Sequence, residues 1–328
     1  VEDNTAIDNE KNGIILEDSG RTRLRENEAE KNRWGIFTRN CSEVEIVGND
    51  ARYNHYGIYL STSAKSRMRE NLMENNRYNF RAEGVNDIDP SNTVDGKPIF
   101  YLVNVSGAVL DPASNAGTVY CINCDNATIK DLSLRNNIYG VYFQNTTNSR
   151  AEGNLAGDCW NGIFLEDSSY NTILKNNFSG NENGAFLDRS SNNDLESNQV
   201  VNNSYGIVLR SSGDNIVTSN GAHVNFVGIE LENSSNNLVE ANNVTENGVG
   251  VHLNASSGNT ISYNDADESE YVGIYLVQNS SKNVIEQNQA CNGWIGVRLN
   301  GSSGNVLSAN DASQNQVGIH LQSSSGNA

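Results

Sequence analysis

The chain has 328 residues, of which 36% are hydrophobic, and its formal net charge is −18. This acidity argues against a nucleic acid, an anionic membrane surface or an acidic polysaccharide as a partner, because no basic stripe could neutralise their charges. No run of 18 apolar residues is present, so the sequence predicts no transmembrane helix, and neutral glycans, divalent cations and other proteins remain as candidate partners.

A repeat of 22 residues extends through almost the whole chain and is clearest between Gly206 and Ala222. Its glycine recurs in steps of 22 residues, apart from two steps of 23 and one interval of 83. A fixed period in this range is typical of a solenoid. The glycines in register are Gly13, Gly35, Gly57, Gly140, Gly162, Gly184, Gly206, Gly228, Gly250, Gly273, Gly296 and Gly318.

Each repeat contains two short strands separated by polar turns. The first and third residues after the glycine are apolar, as in Ile207 and Leu209, and the residue between them varies, which indicates a half-buried strand. Twenty-two residues are too few for a strand-helix-strand unit. We therefore expect an all-β, right-handed parallel β-helix of about 14 turns, with residues 1–328 as one domain and the glycine at a corner of positive φ.

A column of asparagines supports this fold. An amide stacked on its own copy at the spacing of neighbouring strands can donate to one turn and accept from the other, which satisfies a buried polar group by repetition. The predicted structural ladder comprises Asn27, Asn49, Asn71, Asn154, Asn176, Asn198, Asn220, Asn242 and Asn264.

The repeat is interrupted between residues 83 and 117. All three prolines lie there, and the pair Asp95-Gly96 is a turn signal. The sequence predicts a hairpin or flap that leaves the side of the rod, a position where solenoids often carry function. Because the chain begins and ends inside a repeat, we expect it to be a segment of a longer precursor.

The second residue after the glycine faces outward and is often aromatic. When the repeats are aligned, this position forms one column that runs from Phe37 through Arg81 to Phe186. The candidate carbohydrate-binding residues in the column are Tyr59, Tyr120, Tyr142, Phe164 and Phe186. An exposed aromatic stripe is costly unless it is covered or used. Stacking on sugars is one interpretation, and coverage by the insertion or cross-strand stacking within the sheet is the other.

Two carboxylates on successive turns, Glu166 and Asp188, are the candidate catalytic residues. Carboxylates about 5 Å apart serve retaining glycosidases, but Arg189 and Arg210 beside them favour a surface ion-pair ladder.

No metal site is predicted from motif spacing. Ca²⁺ is a candidate cofactor at Asp265 and its neighbours Asp267 and Glu268, although the regular spacing of calcium repeats is absent.

Further residue patterns are weaker. The pair Cys121 and Cys124 has no partner pair or nearby histidine, which favours small buried hydrophobic residues over a metal or redox site. Candidate glycosylation sites are Asn40, Asn104, Asn126, Asn145, Asn177, Asn202, Asn233, Asn243, Asn254, Asn279 and Asn300, each heading Asn-x-Ser/Thr.

The repeats resemble those of the NosD-like, carbohydrate-binding and sugar-hydrolase superfamily of parallel β-helix proteins. The segment DPSNTVDGKPIFY, residues 89–101, is similar to one found in archaeal surface (S-layer-associated) proteins described as NosD-like. The resemblance covers nearly the whole chain and implies the fold more strongly than a function. Copper maturation, as in NosD itself, is not supported by four scattered histidines.

Three functional hypotheses follow. The first is a non-catalytic extracellular scaffold, adhesin, surface-layer or filament module, whose partners are other surface proteins or copies of itself. The second is a carbohydrate-binding module that uses the aromatic column for neutral glycans. The third is a polysaccharide lyase or glycoside hydrolase. All three place the protein outside the cell or at its surface.

Overall fold

Strands of six residues built around the repeat glycine dominate the computed structural model, which describes residues 1–328. In the strand Asn161–Glu166, Ile163 and Leu165 are fully buried and Glu166 is partly exposed, as the alternation predicts. The only helical element is a 3₁₀ turn, Pro112–Ser114, which has neither the length nor the apolar character needed to cross a membrane.

The strands are, in chain order, β1 (Thr5–Ile7), β2 (Asn12–Glu17), β3 (Arg23–Arg25), β4 (Glu28–Glu30), β5 (Trp34–Arg39), β6 (Glu45–Val47), β7 (Asp50–Arg52), β8 (Tyr56–Ser61), β9 (Arg67–Arg69), β10 (Leu72–Glu74), β11 (Tyr78–Ala82), β12 (Asp87–Ile88), β13 (Thr93–Val94), β14 (Lys97–Val103), β15 (Val109–Leu110), β16 (Thr118–Ile122), β17 (Thr128–Lys130) and β18 (Ser133–Arg135). They continue with β19 (Tyr139–Gln144), β20 (Arg150–Glu152), β21 (Leu155–Gly157), β22 (Asn161–Glu166), β23 (Thr172–Leu174), β24 (Asn183–Asp188), β25 (Asp194–Glu196), β26 (Tyr205–Arg210), β27 (Ile216–Thr218), β28 (Val227–Glu232), β29 (Leu238–Glu240), β30 (Val249–Asn254), β31 (Thr260–Ser262), β32 (Val272–Val277), β33 (Val284–Glu286), β34 (Ile295–Asn300), β35 (Val306–Ser308) and β36 (Val317–Gln322).

These strands form two parallel β-helices, which we name the N rod (β1–β12) and the C rod (β14–β36). In each rod the glycine-containing strands stack as face A, the next strands along each turn as face B, and the third set as face C. Face A is β2-β5-β8-β11 in the N rod and runs from β14 and β16 to β36 in the C rod. Face C of the C rod is reduced to β18-β21 and a row of single bridges.

A hairpin joins the two rods. β13 and β14 pair antiparallel around Asp95-Gly96, while β13 also pairs with β10 and β14 with β16. Face C of the N rod therefore continues into face A of the C rod within one sixteen-stranded sheet. The hairpin predicted between residues 83 and 117 is present, but it does not project from the side, because the ladder pairs both of its strands.

β14 and β16 separate two hydrophobic cores. Ile99 and Tyr101 of β14 are buried in the core of the N rod, and Phe100 and Leu102 pack against the core of the C rod. All five residues of β16 are buried. Parallel strands covered on both faces are expected to be apolar without alternation, as the four residues after Thr118 in this strand are.

The asparagine column hydrogen-bonds from turn to turn. Asn198 Nδ2, for example, donates to Asn220 Oδ1 at 2.9 Å and to the carbonyl of Ile173 at 2.8 Å, so both of its hydrogens are used. A second column, buried from Asn171 to Asn305 and ending at the half-buried Asn327, lines the corner between faces A and B of the C rod. It continues across a longer spacing, since Asn259 Nδ2 still donates to Asn283 Oδ1 at 3.1 Å.

The repeat glycines are required for close packing. None of those in register has a positive φ, so the prediction of a left-handed corner is wrong. A Cβ placed on Gly206 would lie 2.4 Å from the carbonyl oxygen of Gly228 on the next turn. A side chain there would push neighbouring turns apart, which is why glycine recurs.

Candidate functional site

The joint between the rods creates a cleft of about 330 Å³ between the two A faces. Because the sheet passes from face C of one rod to face A of the other, face A of the N rod ends at β11 and its side chains lie opposite those of the C rod. The cleft is lined by Trp34, Tyr56, Tyr59, Arg81, Ile138, Tyr139, Trp160, Asn161, Phe164 and Phe186.

Aromatic rings of the N rod form one wall. Trp34 stacks on Tyr56 with ring centroids 4.0 Å apart and on Tyr59 at 5.2 Å. Trp34 and Tyr56 occupy the position just before the repeat glycine, and Tyr59 occupies the outward position two residues after it. All three side chains remain partly exposed, so this wall presents apolar ring surface to solvent.

Rings of the C rod form the opposite wall. Tyr139 stacks on Tyr142 at 4.6 Å, and Phe164 contacts Phe186 one turn further along at 5.0 Å. Trp160 stands at the rim, is 41% exposed and meets Tyr78 of the N rod edge-on at 5.9 Å. The cleft thus combines a packed floor with one prominent exposed indole.

The predicted single aromatic column is wrong in two respects. Tyr120 is fully buried and Tyr142 nearly so, because these rings pack into the core of the N rod. Arg81 does not continue into Tyr120, which instead pairs with Tyr101 in the sheet. Among the five candidate residues, only Tyr59, Phe164 and Phe186 line the cleft.

Arg81 is the only charged residue lining the cleft. Its guanidinium carbon lies 4.9 Å from the centre of the Tyr59 ring and 5.4 Å from that of Tyr139, and one amino group pairs with Glu83 at 2.8 Å. Its Nε is buried and has no hydrogen-bond partner within the protein. That N–H is a covered donor that the protein leaves unpaired.

The cleft tyrosines are held in the protonated form. Burial raises the pKa of Tyr59 to about 12, against the opposing effect of Arg81, and raises the pKa of Tyr139 further. Proton abstraction by a tyrosinate near neutral pH would need a lowered pKa. These hydroxyls can therefore donate and accept hydrogen bonds, but they are poorly suited to act as bases.

The candidate catalytic carboxylates form an ion-pair network. Glu166 and Asp188 lie on adjacent strands, and Arg189 contacts Glu166 at 2.8 Å, Asp167 at 2.8 Å and also Asp188. Glu166 additionally accepts a hydrogen bond from the hydroxyl of Tyr142. Burial raises the pKa of Asp188, and Arg189 opposes this. The arrangement is that of a cross-strand salt bridge.

The other predicted sites are scattered. At the candidate calcium site, Asp265 accepts a hydrogen bond from the backbone N–H of Asp267, and the Asp267 carboxylate accepts one from the backbone N–H of Cys291 at 2.7 Å.

All nine asparagines predicted for the ladder are buried. Nine of the eleven candidate glycosylation sites are exposed, and Asn254 and Asn300 are half-buried.

Sequence reasoning missed Trp34, Tyr56, Tyr139 and Trp160, and it assigned no role to Arg81. A signal was present, because the first three of these aromatic residues directly precede a repeat glycine. From the sequence alone this position is interpreted as part of a corner, because the repeat does not show that two rods face each other.

The sequence matches two family models. Residues 1–99 and 91–229 match the family described as periplasmic copper-binding protein (NosD), and residues 204–328 match the right-handed β-helix region. A search of curated proteins gave no match.

Solved structures share the fold. A double mutant of the periplasmic alginate epimerase AlgG aligns with a TM-score of 0.60 and 17% identity over 92% of this chain and 75% of that chain. The mannuronan C-5 epimerase AlgE4 A-module of Azotobacter vinelandii gives 0.58 and 15% over 97% and 91%. The surface protein and adhesin PfbA of Streptococcus pneumoniae gives 0.55 and 14% over 87% and 91%. At these identities the likeness concerns the fold alone.

The copper in the family's description does not fit the residues present. Copper sites gather His, Cys or Met side chains. Here the five cysteines and both methionines are buried, and no group of three or more His, Cys, Asp or Glu side chains could hold a metal ion. The histidines are His55, His223, His252 and His320.

The fold, the repeat and the match across residues 1–229 lead to one conclusion. The chain belongs to the NosD family and forms a right-handed parallel β-helix.

Proposed function

We propose that this chain is a non-catalytic, extracytoplasmic β-helix module that binds a saccharide in the cleft between its two rods. The observation that supports this most directly is the cleft itself, in which eight of ten lining residues are hydrophobic and the single charge is Arg81. Ligand sites of this kind pair apolar surface with a few convergent polar groups.

The exposed rings suit sugars in particular. The C–H face of a pyranose is flat and apolar, whereas its edges carry hydroxyls. Trp160 is 41% exposed and Trp34 partly exposed, and the buried polar groups beside them include Asn161 and the unpaired Nε of Arg81. Protonated tyrosines and an ion-paired Glu166–Asp188 ladder favour binding over cleavage.

The related proteins agree with this role without deciding it. The family is described as periplasmic, and the similar folds include enzymes that act on alginate and mannuronan as well as a surface adhesin. A location outside the cytoplasm and a glycan ligand are compatible with these descriptions.

Binding to a glycan array, followed by titration calorimetry, tests the proposal. Trp160→Ala should weaken binding of the selected glycan at least about ten-fold, because it removes a central aromatic anchor. Tyr170→Ala is the matched control, since Tyr170 is 62% exposed and lies outside the cleft. Absence of any glycan ligand, or equal affinity in both variants, would contradict the proposal. Release of reducing ends or of unsaturated uronate by the wild-type protein would point to an enzyme instead.

A further inference from the structure

We infer that the saccharide is a linear, uncharged glycan chain that extends from the cleft along face A of the C rod, over a second aromatic site at Phe226, Tyr271 and Trp294. This inference rests on the proposed function and specifies its ligand. Four observations support it: a groove continuous with the cleft, a row of exposed rings, unpartnered polar atoms on the groove floor, and the charge of its rims.

The groove begins where the cleft ends. A depression of about 460 Å³ shares Trp160 and Phe186 with the cleft and extends along face A as far as Glu232 and Asn254. Its floor consists of outward side chains of successive strands, and its length therefore follows the rod axis. A ligand that enters the cleft can continue along this surface only as an extended chain.

The rim that Trp160 and Glu182 form beside the groove continues along face A, past the end of the groove, as a row with exposed rings. The rim position is the residue directly before each face A strand, occupied in turn by Trp160, Glu182, Ser204, Phe226, Gly248, Tyr271 and Trp294. Phe226, Tyr271 and Trp294 are 58%, 39% and 52% exposed. Trp294 is six strands from Trp160, about 29 Å at the usual strand spacing.

Gly248 is what brings two of these rings together. A Cβ there would lie 2.6 Å from the carbonyl oxygen of Phe226 and 3.3 Å from its ring. With no side chain on the intervening turn, the rings of Phe226 and Tyr271 approach to 6.4 Å although they belong to strands two turns apart. They form a continuous apolar surface instead of two isolated rings.

The floor offers hydrogen-bonding groups that the protein leaves unused. His252 stacks on Tyr275 at 5.3 Å and binds Glu230 through Nδ1 at 3.1 Å, whereas its Nε2 has no partner within the protein. Asn254 Oδ1 and Arg298 Nε are likewise buried and unpartnered. Unpaired buried polar atoms are unfavourable, so a movement of the side chains that cover them would let the hydroxyls of a bound glycan supply the missing donors and acceptors.

The charges along the groove favour an uncharged ligand. Glu232 is paired with Arg210 at 2.8 Å, and Glu230 contacts His252 Nδ1 at 3.1 Å. Glu182 on the rim and Glu270 beside Tyr271 form no ion pair. Together with the net charge of −18, they would repel a polyuronate. Arg298, which forms no ion pair, would oppose a cationic group placed over it.

Calorimetry with fragments of two, four and six sugars tests the inference. The neutral probes are fragments of linear glucan, mannan, xylan and chitin, and the charged probes are matched oligogalacturonides and chitosan fragments. We expect affinity for a neutral series to rise at least about ten-fold from two to six sugars. Trp294→Ala should lower the affinity for six sugars about ten-fold and leave the affinity for two sugars unchanged. Tyr263→Ala, which removes a ring that is 54% exposed but outside the groove, is the control.

The outcomes separate the two proposals. If two sugars bind as well as six, and only Trp160→Ala matters, the cleft binds a short saccharide and the extended track is wrong. A charged series that binds more tightly than every neutral one overturns the assignment of an uncharged chain. If no probe binds the wild-type protein, both the proposed function and this inference fail.

Discussion

The N rod and the C rod share one repeat but stabilise the same corner differently. Between faces A and B, the C rod stacks the buried asparagines from Asn171 to Asn305, whereas the N rod has Thr22, Val44 and Ser66 at the equivalent positions. Nearby, the N rod places exposed cross-strand ion pairs, such as Arg23 with Glu45 at 2.5 Å. Eleven of the eighteen ion pairs lie in the first 89 residues.

This difference shows that the fold specifies a polar contact between turns but not its chemistry. Buried amides exchange hydrogen bonds that water cannot replace, while exposed ion pairs contribute little and are screened by salt. We therefore expect the C rod to be the more stable unit and the N rod to depend on its contact with the C rod at the joint.

The largest expected effect comes from separating the rods. Tyr120→Ala removes a fully buried ring that contacts Phe80 and Tyr101, and it should destabilise the protein by about 4 kcal/mol. Phe178→Ala creates a similar cavity inside the C rod alone. Calorimetry should show two transitions for Tyr120→Ala and one for Phe178→Ala. A single transition in both would mean that the rods remain coupled without Tyr120.

The amide column should give the next largest effect. In Asn215→Ala, the backbone N–H and Nδ2 of Asn193 lose their acceptor, and the carbonyl of Ser190 loses a donor. Leaving these groups buried and unpaired should cost about 3 kcal/mol, measured by urea denaturation. A loss as small as that of an exposed asparagine without a positive φ, such as Asn177→Ala, would show that the ladder is not a source of stability.

Alkaline pH should weaken the joint before the C rod. The pKa of Tyr59 is about 12 in the folded protein because of burial, against about 10 in the unfolded chain. The contribution of the neutral tyrosine is complete below pH 10 and is lost as pH rises towards 12, because only the unfolded state ionises in that interval. Absorbance of tyrosinate should follow loss of the joint, and Tyr59→Phe should delay it. Ionisation of every tyrosine near pH 10 without unfolding would contradict this.

The smallest effect is expected from the ion pairs of the N rod. Arg23→Ala should lower the melting temperature by less than about 2 °C, and a salt concentration of about 0.5 M should reduce even this difference. Thermal melts of the variant at low and high salt check the expectation. A decrease comparable to that of Asn215→Ala would mean that charge, and not the amide column, stabilises the repeat.

The sequence was sufficient to predict the β-helix but not the meeting of its two rods. The regular spacing of the columns that contain Gly206 and Asn220 can be predicted, because each turn repeats the same local packing and hydrogen bonding. The change of face between β10 and β16 depends instead on which strand edge the hairpin at Asp95-Gly96 pairs with. One signal was available, since Thr118–Ile122 lacks the usual alternation. The cleft residues Trp34 and Trp160 are separated by 126 positions and become neighbours only through that joint.

The longer turn between Asn259 and Asn283 has a practical consequence. Their amides remain bonded at 3.1 Å across a spacing of 24 residues, so the extra residues are accommodated at the corners without disturbing the strands. The exposed corner at Asn279 is thus a place where foreign sequence, such as a protease site or an epitope, can be grafted while the surrounding rod keeps its shape.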